Sequence, residues 1–224
     1  MDTQPSQDNQ SNPYRVVHSE LLLDAPIIGV RRDTITTATG EAKREIVEHF
    51  SAVAVAAVRN NHVMMIRQYR HGVGRHLWEI PAGLLDMVGE DPLDAARREL
   101  AEEAGLRASS WHLLGDVVTS PGFSEEMCRI YLAEELDDDV SGFDLPEAEF
   151  EEAEIETRWV PVPEAVEWVQ TGVVENSVAT IALLHLAAGT RRDVSEPYNF
   201  HSGLAERRSA SAEAQPGTDM KFIR

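Results

Sequence analysis

Residues 81–106 read PAGLLDMVGEDPLDAARRELAEEAGL. Gly83 opens a turn. Asp91 is a good helix N-cap, and Pro92 suits the first helical position, where its missing N–H costs nothing. Leu93, Ala96, Leu100 and Ala104 recur at helical spacing and form one apolar face. Gly105 stops the helix in the left-handed conformation that favours glycine. The spacing predicts a loop, then a helix starting at Pro92. Glu99 and Glu103 stack one turn apart on its last turns, with Glu102 beside them. Each like pair costs about a few tenths of a kcal/mol on an open helix. The helix dipole also disfavours anions at this end. Arg97 and Arg98 offset part of that repulsion, and a divalent cation would offset more. Hard oxygen ligands suit Mg²⁺ or Mn²⁺, whereas zinc calls for Cys or His. An acidic run on a helix is ordinarily a solvated face, so the metal reading needs more than these three carboxylates.

The whole stretch supplies it. It resembles the Nudix box, G-x5-E-x7-R-E-U-x-E-E-x-G-U with U aliphatic. The matching residues are Gly83, Glu90, Arg98, Glu99, Leu100, Glu102, Glu103, Gly105 and Leu106. One departure stands out. Six residues, where the pattern has five, separate Gly83 from Glu90. The extra residue falls in the loop before the helix, so the helical carboxylates keep their spacing.

The chain around this stretch has 224 residues, 42% of them hydrophobic, enough for a substantial core. Its 39 acidic and 20 basic residues give a formal charge of −19. Such a surface repels nucleic-acid phosphates and anionic membranes, so neither is an expected partner. Binding a negatively charged ligand then depends on local arginines and metal. The single Cys128 excludes an intramolecular disulfide and fits a reducing compartment. The first residues have no apolar core of the signal-peptide kind, and no apolar run approaches the roughly 18 residues of a membrane span. The expected location is the cytoplasm.

Taken in order, residues 1–13 read as a disordered polar lead. Extended segments follow at Tyr14–Asp24, Ile27–Thr37 and Lys43–Phe50. This β unit, residues 14–49, is too small to bury a core alone and must pack on the rest of the chain or on a second subunit. Ser51–Val58 (SAVAVAAV) is an apolar run expected to be a buried strand, with His62–Arg70 as its hairpin partner. Trp111–Val118, Cys128–Ala133 and Arg158–Val162 read as further strands. Pro163–Gln170 and Ser177–Ala188 read as helices. Asp137–Glu154 is a long acidic loop, and loops of that length are usually functional or disordered. Residues 191–224 read as a polar tail. The expected fold class is α/β.

The Nudix resemblance implies a mixed sheet between helices, with a catalytic domain over residues 50–190. The family hydrolyses a nucleoside diphosphate linked to another group. By position, Glu99 and Glu103 become Mg²⁺ ligands, with Glu102 as an additional or water-mediated ligand. The backbone carbonyl of Ala82 faces the metal in similar enzymes. Arg98 then orients carboxylates, and Glu90 salt-bridges within the box.

Beyond the box, Ser120-Pro121-Gly122 lies at the offset found in members that cleave ADP-ribose, and Gly40–His49 and Arg67–Gly83 resemble those enzymes too. The resemblance therefore implies Mg²⁺-dependent hydrolysis of ADP-ribose to AMP and ribose 5-phosphate by a homodimer. Arg70 becomes the ligand arginine for the diphosphate or terminal ribose. Arg44 becomes a contribution to the partner subunit's adenosine end, and Phe123 packs beside the ligand or in the core. On the Asp137–Glu154 loop, Glu151 is the expected catalytic base, with Glu152 next. Trp78, Trp159, Trp168 and the eight histidines are expected in structural roles. Two alternatives stand beside this reading. One is a Nudix hydrolase of another substrate, such as a different ADP-sugar, a nucleotide sugar or NADH. The other is a catalytically silent module that senses a metabolite.

Overall fold

The computed structural model describes residues 13–141 and 154–223. The expected lead and the candidate base residues Glu151 and Glu152 lie outside the described residues, apart from Pro13.

The central strand is β4 (Ala52–Arg59), from the SAVAVAAV run. Its side chains alternate between two cores. Ala54 and Ala56 face one cluster, and Val53, Val55 and Ala57 face the other, all fully buried. A strand covered on both faces can be apolar throughout. β4 pairs in parallel with β9 (Met127–Asp137) and antiparallel with β5 (His62–Arg70). The order across the sheet is β10 (Glu156–Pro161), β5, β4, β9, β8 (Arg107–Val118). Two short strands extend it: β6 (Arg75–Glu79) pairs with β5, and β7 (Ala82–Leu84) pairs with β4.

One face is covered by α1 (Pro92–Ala104), which buries Ala95, Ala96 and Leu100 against Val53, Val55 and Tyr131. The other is covered by α2 (Val162–Gln170) and α3 (Ser177–Ala187) through Ala165, Ala179 and Leu183. The expected mixed sheet between helices is therefore present. Trp78 and Trp168 pack against the second core and Trp159 against the first, each only partly buried.

The N-terminal strands form a separate antiparallel sheet: β1 (Val16–Asp24), β2 (Ile28–Thr37) and β3 (Gly40–His49). Every residue of β1 is exposed, including Val16, Val17, Leu21, Leu22 and Leu23.

Residues 191–223 are not a loose tail. They contain α4 (Gly203–Ser209), capped by the Ser202 hydroxyl accepting from Ala205 N–H at 3.0 Å, and a short 3₁₀ turn at Met220–Phe222. Leu204, Met220 and Ile223 bury themselves with Phe50 in a third apolar cluster. Ion pairs complete the docking. Arg208 holds Asp24 at 2.7 Å, and Arg207 holds the buried Glu48. The sequence reading missed this because the buried residues are few and follow no helical or strand period.

Candidate active site

The helix α1 begins and ends as its sequence dictates. The Asp91 carboxylate accepts from Leu93 N–H at 2.8 Å, Pro92 occupies the first turn, and Gly105 adopts φ 63°. That geometry presents Glu99, Glu102 and Glu103 to a cavity of about 990 Å³. Its size lies within the range of ligand pockets.

Each box carboxylate has a local holder. Arg98 grips Glu90 with two hydrogen bonds, at 3.0 and 3.1 Å, and turns its third arm to Glu99 and Glu102. The Ala82 N–H donates to Glu103 at 2.8 Å. Gly83 lies directly beneath Glu99: a Cβ there would sit 1.9 Å from the carboxylate carbon. The box glycine is needed for close approach, since its φ is not in the left-handed region. Glu99 is only 8% exposed. Burial pushes its carboxyl up to about 7. Arg98 opposes that shift, and the neighbouring anions Glu102 and Asp86 reinforce it.

Among the described residues, no three His, Cys, Asp or Glu side chains are set closely enough around one point to form a closed metal cage. The carboxylates instead turn to protein donors. The donor set is still all oxygen, the type that suits Mg²⁺. A buried carboxylate facing further anions is also the electrostatic condition that a divalent ion relieves.

Ala82 and Arg70 border the cavity, whereas Arg44 and Phe123 do not. The Arg70 side chain is held from one strand away. Its guanidinium makes a two-pronged pair with the buried Glu79, at 3.0 and 2.7 Å. That hydrogen-bonded pair holds Arg70 above its ordinary pKa, with burial working against it. Arg44 is exposed on β3, where its guanidinium donates to the Lys43 carbonyl, and it is not among the cavity-lining residues of its own chain. Phe123 is exposed. Thr119 and Ser120 of its loop reach the cavity, and Phe123 does not. Its carbonyl accepts from Val47 N–H at 2.7 Å, which ties the loop to β3.

Several cavity residues were not singled out from sequence. Glu79 anchors Arg70. Glu126, bonded to the Thr119 hydroxyl, lies 3.2 Å from His49 Nδ1. His49, expected in a structural role, thus lines the cavity from the end of β3. Asp86, Asp219 and Lys221 also line the cavity. A glutamate in a β-strand or a lysine near a chain end carries no local signal, and only the folded arrangement reveals them.

The family model for the NUDIX domain matches residues 48–181. The chain belongs to the Nudix family. An ADP-ribose pyrophosphatase of Mycobacterium tuberculosis is 45% identical over 179 residues, covering 79% of this chain and 84% of that protein. A methanol dehydrogenase activator of Bacillus methanolicus is 33% identical over 174 residues, covering 77% and 91%. Among solved structures, one described as an ADP compounds hydrolase superposes with a TM-score of 0.65 at 20% identity, covering 79% of this chain and 93% of that one. That likeness establishes the Nudix fold. The box assignment of Glu99, Glu102 and Glu103 falls inside the matched residues, whereas Asp219 and Lys221 fall outside them.

Proposed function

We propose that this Nudix protein is a Mg²⁺-dependent hydrolase that cuts the diphosphate of ADP-ribose to AMP and ribose 5-phosphate, with Mn²⁺ as a substitute ion. The observation that carries the reading is the convergence of three box carboxylates on one cavity, with Glu99 buried against Gly83. The substrate follows from the Mycobacterium tuberculosis relative, which carries that activity in its name. The relative named for activating another enzyme favours a second reading, a regulatory module. Intact box carboxylates speak for catalysis.

Glu99, Glu102 and Glu103, with the Ala82 carbonyl, would hold the ion. Bound there, it supplies charge neutralisation at the diphosphate and a more acidic water. The chain's own groups do the rest. Arg98 fixes the orientation of Glu99 and Glu102 by sharing one arm between them. Ala82 N–H fixes Glu103. Arg70, steadied by Glu79, turns toward the diphosphate or terminal ribose. Glu151, with Glu152 as the neighbouring choice, takes the proton of the attacking water.

The working unit is a homodimer. The exposed apolar residues of β1 form a surface that a monomer would leave in water. Arg44 and Phe123 then act at the subunit boundary, Arg44 toward the partner's adenosine end. A buried free Cys128 suits the reducing cytoplasm. No described helix is long and apolar enough to cross a membrane. Incubation with ADP-ribose tests the activity: AMP should appear with Mg²⁺ and not with a chelator. Equal activity in chelator would overturn the metal requirement, and no AMP under either condition would overturn the reaction.

A further inference from the structure

The loop between Gly83 and Glu90, one residue longer than the box pattern, is met by the box at two points: Arg98 reaches the Leu84 carbonyl at 3.5 Å, and Glu90 N–H donates to the Met87 carbonyl at 3.2 Å. Residues 217–220 hold its middle. Val88 N–H donates to the Thr218 carbonyl at 2.9 Å, and Gly217 N–H donates back to Val88 at 2.9 Å. Met220 N–H donates to the Asp86 carbonyl at 2.8 Å. Met87 and Asp219 form a β-bridge. Leu84 and Val88 pack on the cluster of Phe50, Met220 and Ile223. The added loop residue is thus absorbed by a short antiparallel pairing with residues 217–220.

Side chains join the same two segments. Asp86 is only 4% exposed. Its carboxylate accepts from Lys221 Nζ at 2.5 Å, and Asp219 lies 3.3 Å from the same ammonium. All three border the cavity that Glu99, Glu102 and Glu103 enter. Among the described residues, seven carboxylates and three lysine or arginine cations line that cavity. Of these cations, Arg70 is committed to Glu79 and Arg98 to the box glutamates, which leaves Lys221, among the described residues, to balance the Asp86 side of the wall.

We propose that residues 217–223 are part of the active site and that Lys221 is a positioning residue, which cancels the Asp86 charge beside the box carboxylates. Without that cancellation the wall gains one uncompensated negative charge. A divalent cation would then be held more tightly, and an anionic substrate would be repelled. Lys221 acts through Asp86. The substrate half of this inference rests on the hydrolase reading above, and the cation half does not.

The test uses the full chain in four forms: wild type, Lys221→Met, Lys221→Arg, and Lys221→Met combined with Asp86→Asn. Mn²⁺ affinity is read by calorimetric titration without substrate, and KM and kcat are read with ADP-ribose. Lys221→Met should tighten Mn²⁺ about three- to tenfold, the Coulombic scale of one unit charge acting on a divalent ion several ångströms away. KM should rise by a similar factor, with kcat changing less. Lys221→Arg should behave as wild type. Adding Asp86→Asn to Lys221→Met should restore both readings, because it removes the charge that lost its partner. A structural role alone would lower thermal stability without this reciprocal repair. Unchanged Mn²⁺ affinity in Lys221→Met, or a defect that Asp86→Asn does not repair, would overturn the proposal. Absence of ADP-ribose turnover in wild type would overturn the hydrolase reading and leave the Mn²⁺ comparison decisive. If Lys221→Met does not fold, the charge-neutral double variant still must match wild type.

Discussion

Gly83 and Glu99 occupy one space: a single methyl group on the glycine would sit 1.9 Å from the glutamate's carboxylate carbon. The strand residue Gly83 and the helix residue Glu99 are separated by the whole box loop, yet one sets the other's position. Gly83→Ala must therefore expel the Glu99 carboxylate from its buried seat. We expect kcat to fall by about 10²-fold or more, the scale of losing a preorganised charged group, with circular dichroism unchanged. A Gly83→Ala variant of normal rate would show that Glu99 works from another position.

Glu99 and Glu103 are the proposed ion ligands. Glu99→Gln and Glu103→Gln should each lower turnover by orders of magnitude while the fold persists, since a ligating carboxylate supplies several kcal/mol of charge stabilisation at a metal site. Near-normal rates for both at saturating Mg²⁺ would remove the metal assignment.

The Glu99 environment also predicts a pH effect in chelator. Burial raises its folded carboxyl from the ordinary 4.5 to about 7. Between those values the folded state binds the proton that the unfolded chain has released. The Glu99 contribution to stability is therefore full below the lower value and is lost as pH rises through the upper one. Glu99→Gln should gain thermal stability relative to wild type on going from about pH 5 to about pH 8. Melting curves in chelator check this. A difference that stays constant, or shrinks with rising pH, contradicts it.

Arg70 anchors Glu79, and one substitution tests the proposed contact with substrate as well. Arg70→Ala leaves Glu79 buried without its two-pronged partner, costing about 1–3 kcal/mol of stability. If Arg70 also meets substrate, KM for ADP-ribose should rise about tenfold or more, a lost charge-assisted contact. Loss of stability with unchanged KM would reduce Arg70 to the Glu79 ion pair.

For the base, Glu151→Gln should cut kcat by at least about 10²-fold with little change in KM. Glu147→Gln should do almost nothing. A crippled Glu152→Gln beside a normal Glu151→Gln would move the role by one residue. If no loop glutamate matters, the base assignment fails.

The box helix was legible because its signals are local. The Asp91 cap, Pro92, the apolar spacing and Gly105 each act within a few residues, and the structure places the helix between them. The buried strand at Ala52–Arg59 was legible as an uninterrupted apolar run. The C-terminal docking was not. Its contacts, Arg208 with Asp24 and Lys221 with Asp86, span 184 and 135 residues. Polar pairs at that distance leave no periodicity. The three box carboxylates that face the cavity were legible through the resemblance to the Nudix box, since helical spacing alone also fits a solvated face. The Glu79 anchor, the His49–Glu126 pair and the Lys221 wall come from separate strands and loops, and only folding assembles them.

The ADP-ribose assignment is tested by kcat/KM for ADP-ribose against other ADP-sugars, nucleotide sugars and NADH, at saturating Mg²⁺ with released monophosphate as readout. ADP-ribose should lead the series and yield AMP. Equal or better turnover of another compound would contradict it.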